Sequence, residues 1–217
     1  MKQQKRSLTR KGRTLRMFVW LAVIVVLASA LRLYDFLPIQ TVRAIAETQD
    51  IEDPEVVSTF YDDTLPVTRF ALHHLVDGKR AVMLCVTGYD PFMGWYDRSY
   101  ACAETWSGAG LYGGLYAHTQ GGQQTAYLFG KIEDEAVVSL SFEGKADRES
   151  EEADIWRCEI PEADIFEKNG TRYFASKVDA SLPGEAAYLY DTILTGFDKQ
   201  GKIVKTVEVQ VRAWGSV

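Results

Sequence analysis

The chain has 217 residues, 24 Lys and Arg against 30 Asp and Glu, and 47% hydrophobic residues. That balance excludes a disordered tail, a collagen-like fibre and a multi-span membrane protein. The charge is unevenly divided: residues 1–30 hold seven basic residues and no acid, leaving 17 basic residues against 30 acids, a body at −13. So acidic a body repels phosphate backbones and disfavours a nucleic-acid partner.

Lys2, Lys5, Arg6, Arg10, Lys11, Arg13 and Arg16 lead into an uncharged run at 17–31, the pattern of a targeting or anchoring segment. The positive-inside rule keeps the basic flank, residues 1–16, in the cytoplasm and delivers the rest of the chain to the far side of the membrane. Fifteen residues fall short of the roughly 20 that cross a hydrocarbon core, and two readings stay open. In the first, 17–37 is an uncleaved transmembrane signal anchor, lengthened by Leu33, Phe36 and Leu37, with Arg32 reaching the outer headgroups and Trp20 near the inner interface. In the second, Ala28-Ser29-Ala30 is a cleavage pattern, and a signal peptide is removed after Ala30 to leave a secreted protein. The long basic flank favours the anchor.

Residues 38–55 read as a short helix and an acidic linker, with Val42, Ile45 and Ala46 at helical spacing within 41–49 and acids crowding 50–55. From Val56 the period becomes that of strands, and 56–217 reads as one extracytoplasmic β-domain. The runs 67–76 and 81–87 flank Asp77-Gly78 as a hairpin whose second strand is buried on both faces. A third strand spans 99–106, and 126–129 begins another. In 137–142, Val138, Leu140 and Phe142 share one face and Val137, Ser139 and Ser141 the other; 154–160 alternates likewise, after a polar loop at 144–153. Asn169-Gly170, between 165–166 and 171–178, carries the signal of a type I′ turn. Finally, 188–197 and 203–214 flank Asp198-Lys199-Gln200-Gly201, the last run reading as one strand with a wet face. Short strands at regular spacing predict a mainly β fold, an antiparallel β-sandwich or partly open barrel following the transmembrane helix and the short helix.

Motifs for chemistry are sparse. Gly108, Gly110 and Gly113 match a dinucleotide fingerprint, with Asp134 downstream. No helical pattern follows to aim its N-terminus at a pyrophosphate, so the glycines read as bulges or a tight strand crossing. His73 and His74 are adjacent in a strand and point to opposite faces, and no zinc or serine-nucleophile motif occurs. No catalytic residue, cofactor or metal is expected. Three cysteines are too few for a disulfide framework. Cys85 and Cys102 lie symmetrically about Met93-Gly94, so a hairpin turning there would set them face to face and leave a disulfide geometrically open, with core thiols as the alternative. Cys158 alternates with Trp156 and Ile160 and reads as a core residue.

The segment 88–98, GYDPFMGWYDR, reads as an aromatic loop. Tyr89, Trp95 and Tyr96 beside Asp90 and Asp97 supply what a sugar site uses, rings on an apolar sugar face and carboxylates on hydroxyls. The competing reading folds these rings over one end of the core. Trp106, Tyr112 and Tyr116 would extend either surface.

The segments 129–134 and 197–202, with the strand 137–142 between them, resemble small, uncharacterised, membrane-anchored extracytoplasmic β-domain proteins of Gram-positive bacteria. In those proteins a G-x-(I/V)-x-D strand entry and a late (Y/F)-D-K-x-G-K hairpin recur. The resemblance implies location and architecture and carries no activity. The expectation is therefore a non-enzymatic, single-pass membrane protein presenting an acidic β-domain to an envelope protein or wall component. The alternatives are a cell-wall glycan-binding module using 88–98 and an envelope hydrolase.

Overall fold

The computed structural model describes residues 10–31, 33–61, 71–105, 108–120, 123–145, 155–178 and 189–215. The strand start at 67–70, the polar loop at 146–153, Arg32, Trp106, Asp154 and Tyr188 lie outside the described residues.

The protein is mainly β, with two helices ahead of three sheets. Helix α1, Arg10–Ala30, carries a 20-residue stretch, Lys11–Ala30, long and apolar enough to cross a membrane, and none of it is buried against the rest of the chain. The helix starts upstream of the uncharged run and stops at Ala30, so the span expected to reach residue 37 is shorter at its outer end. Further on, Pro38 holds Leu37 extended (φ −127°, ψ 139°) and opens a separate helix, α2, Pro38–Thr48. The acidic linker after α2 is not loose. Lys79 binds Asp53 at 2.6 Å and Glu52 at 3.3 Å, and buried Ile51 packs against Gly78, so residues 51–53 are fastened over the first hairpin turn.

The first sheet has the order β1-β2-β3-β4, from Glu55–Tyr61, Ala71–Asp77, Ala81–Asp90 and Gly94–Glu104. Strands β2 and β3 are buried on both faces, as the hairpin reading expects. One face receives α2 through Val42, Ile45 and Ala46 on Val76, Met83 and Cys85. The other packs Leu75, Val82, Leu84 and Val86 against Tyr116, Tyr127, Phe129 and Tyr173 of the second sheet.

That second sheet, order β13-β5-β6-β10-β9, is built from Gln210–Gly215, Leu111–Gln120, Gln123–Ile132, Thr171–Val178 and Ile165–Lys168. Its other face meets the third sheet, β12-β11-β7-β8, formed by Ile203–Glu208, Tyr190–Phe197, Ser139–Lys145 and Ile155–Ile160. Leu115, Leu128 and Phe174 interlock there with Leu140, Phe142 and Leu194. At one edge β8 leads into β9 through the short helix Glu162–Asp164, and at the other β12 leads into β13 across Val209. These strands changing sheets are the corners of a sandwich. Among the described strands all pairings are antiparallel except β13 on β5.

Two expectations about the strands change. The run 203–214 is two strands, because Thr192 holds both backbone groups of Val209: its carbonyl accepts the Val209 N–H at 3.0 Å and its hydroxyl donates to the Val209 carbonyl at 2.7 Å. Val137 is fully buried against Gly196, ahead of a strand that begins at Ser139, so it does not share the wet face. Gly113 and Gly114 lie within β5 against Leu194 and Phe129, the tight crossing expected in place of a nucleotide loop. Asn169 and Gly170 both take positive φ (55° and 79°), as a type I′ turn requires.

Candidate functional site at the helix junction

Residues 88–98 form a hairpin tip rather than a loop. Strand β3 runs on to Asp90, a turn occupies 91–93, and β4 starts at Gly94. Alternation divides the aromatic residues. Tyr89 opposes Trp95, their rings 5.4 Å apart, whereas Tyr96 opposes Gly88 and lays its ring across it. Asp90 is committed to the turn, its carboxylate accepting the Phe92 and Met93 N–H groups at 2.7 and 3.1 Å. Phe92 at the apex is 92% exposed and Met93 60%.

The tip is pinned to the segment between the two helices. The Trp95 N–H donates to the Asp35 carbonyl at 2.9 Å, Asp35 pairs with Gly94 as an isolated parallel bridge, and the Tyr34 hydroxyl donates to the Pro91 carbonyl at 3.3 Å and meets the Tyr89 hydroxyl at 3.4 Å. That last contact raises the Tyr34 pKa. Gly94 has φ +82°, and a Cβ there would stand 2.4 Å from the Asp35 carbonyl oxygen, so glycine is needed for both turn and contact. The Asp35 carboxylate in turn accepts from the Thr41 hydroxyl at 3.0 Å, tying α2 to the same point.

Of the five residues expected to hold a sugar, the structure gathers Tyr89 and Trp95 on one face with Asp97 two residues further along it, turns Tyr96 to the opposite face, and spends Asp90 on the turn. Burial raises the Asp97 carboxyl above its ordinary pKa. Tyr112 and Tyr116 do not extend this surface; both are buried, Tyr116 between the first two sheets and Tyr112 with its hydroxyl on Glu133. Sequence reasoning missed Tyr34 and Asp35, whose role depends on a contact across more than fifty residues. An aromatic residue just past the apolar run was the available signal.

The Cys85–Cys102 disulfide that the sequence left open does not form, and the core-thiol alternative holds for buried Cys85: all three cysteines are thiols. The turn is centred on Phe92, and a bulge between Val86 and Thr87 restores only part of the offset, so Cys102 opposes Met83 and Cys85 opposes Tyr100. Burial pushes the Cys85 thiol up strongly and that of Cys158 to about 11, which makes both inert at neutral pH.

His73 and His74 point to opposite faces. His73 stacks on Phe60 at 5.3 Å, while the His74 nitrogens meet the Thr59 and Thr87 hydroxyls at 3.1 and 2.9 Å. Among the described residues no three His, Cys, Asp or Glu side chains gather as metal ligands. A cleft of about 510 Å³ lies on the third sheet beside Glu143, Lys145, Asp191, Ile193 and Glu208. Arg157 pairs with Glu143 and Lys145 with Asp191, each at 3.0 Å, so two of its three carboxylates are already engaged.

The fold and the junction thus define a mainly β domain hung from an exposed apolar helix. Comparison of the chain with protein-family models, with curated proteins and with solved structures finds no match.

Proposed function

We propose that the chain is a non-enzymatic, single-pass membrane protein. In this reading α1 is the anchor, residues 1–16 are cytoplasmic, and the acidic β-domain is presented outside the cell to an envelope protein or wall component. One observation carries it: a 20-residue apolar stretch of helix has no residue buried against a domain that closes its own core. An apolar helix of this length needs a lipid surround in place of water. The basic flank sets the orientation, and the resemblance to membrane-anchored extracytoplasmic β-domains points the same way.

The test is topology and contact in cells. Full-length protein is expected to stay with membranes after alkaline extraction, to keep residues 1–30, and to expose its β-domain to protease added outside. A mature N-terminus at Leu31 would replace the anchor by secretion. Crosslinking at the cell surface then identifies the partner class. Sedimentation of the detergent-solubilised chain with purified cell wall, if abolished by Trp95→Ala in a folded protein, would favour the glycan module instead.

A further inference from the structure

We infer that the hairpin tip, Phe92 and Met93, is a second membrane contact, seated in the outer lipid interface beside the end of α1. The inference rests on the anchor reading and adds what that reading lacks, a fixed orientation of the β-domain against the bilayer.

Reach is the first argument. The tip is hydrogen-bonded to Asp35, five residues past Ala30, and five residues span at most about 17 Å even fully extended. A domain whose tip is bonded this close to the helix end cannot hold that tip far out in water.

Length is the second. The 20-residue stretch reaches about 30 Å only by counting its basic first turns; the uncharged part of α1, 17–30, makes about 21 Å of helix against a hydrocarbon core of about 30 Å. A span that is too short draws its flanks into the interface, and the flanks here are apolar: Leu31, Leu33 and Leu37 are 65%, 72% and 58% exposed. Phe92 and Met93 are exposed as well, at a tip bonded to Tyr34 and Asp35. The third argument is chemistry. Tyr34, Tyr89 and Trp95, behind the apex, are amphipathic rings of the kind that collects at headgroup depth. Asp90, the acid nearest the apex, has its charge turned onto two backbone N–H groups.

The test uses the full chain in phosphatidylcholine vesicles, with Cys102→Ala and Cys158→Ala to clear the accessible thiols. A nitroxide is attached in turn at Met93→Cys, at Val26→Cys in α1 and at Gln200→Cys in an exposed turn. Accessibility to oxygen, which concentrates in lipid, is compared with that to a water-soluble nickel chelate. The labels at 93 and 26 are expected to favour oxygen severalfold over the label at 200. Phe92→Asp is expected to return the label at 93 to water without lowering the unfolding temperature, since Phe92 packs against almost nothing. A label at 93 as wet as that at 200, with 26 still in lipid, overturns the inference and spares the anchor; a wet label at 26 removes both.

Discussion

His74 is held between two threonine hydroxyls in a site only 3% exposed, and burial lowers its pKa from 6.5 to about 4. The neutral imidazole suits the site, one nitrogen donating and the other accepting. As pH falls, the unfolded chain takes up the proton first. The contribution to stability is therefore complete above pH 6.5 and is lost on the way down to about 4, at most about 3 kcal/mol. His74→Gln is less stable than wild type at pH 7, and the gap is expected to close towards pH 4; a constant gap in urea unfolding across that range would contradict the assignment. A second residue-scale device joins the first two sheets. Lys131, 14% exposed, bridges Asp77 and Glu133 at 3.1 Å each, and the Tyr173 hydroxyl donates to Asp77 at 2.7 Å. Lys131→Met leaves Asp77 without its cation, whereas Glu133 is nearly half exposed to water, and is expected to cost about 1 to 2 kcal/mol, partly recovered by adding Asp77→Asn. The sequence places Lys131 and both acids near strand ends, but their meeting depends on how two sheets stack, which no local pattern encodes.

Strand existence was legible wherever turn chemistry and alternation agreed. Asp77-Gly78, Asn169-Gly170 and Asp198–Gly201 each stand between paired strands as expected. The reading failed where one chain segment serves two sheets. Val207, Val209 and Val211 alternate without a break in sequence, yet the chain leaves the third sheet at Val209 because Thr192, 17 residues away, captures its backbone. Thr192→Val keeps the shape of that side chain and removes its hydroxyl donor, leaving the Val209 carbonyl buried without it. A loss of about 1 to 2 kcal/mol is expected, with faster hydrogen exchange in β13 than in β12. Equal protection in both strands would show that the corner does not depend on this bond. The hairpin tip follows the same logic: its aromatic residues were visible in the sequence, but Asp35 as their anchorage was not.

At the scale of the whole molecule the helix and the β-domain differ in surface, one apolar and uncovered, the other closed over its own core. The domain closes its core with three packed sheets and α2, while α1 contributes nothing to that core. What crosses the boundary is small: the Gln40 side chain donates to the Ser29 hydroxyl, and the Leu31 and Leu33 N–H groups close the last helical turn. The contacts that fix α2 and the hairpin begin at Tyr34, beyond the cut that a signal peptidase would make after Ala30. Cleavage there should therefore leave folding almost untouched. The fragment 31–217 is expected to unfold cooperatively within about 4 °C of the detergent-solubilised full chain, a difference of at most about 1 kcal/mol for a domain of this size. It should also remain soluble, because the acidic surface survives and the apolar helix is gone. A broad transition or aggregation of the fragment would mean that α1 takes part in the fold, and the division of the molecule into anchor and domain would then be wrong.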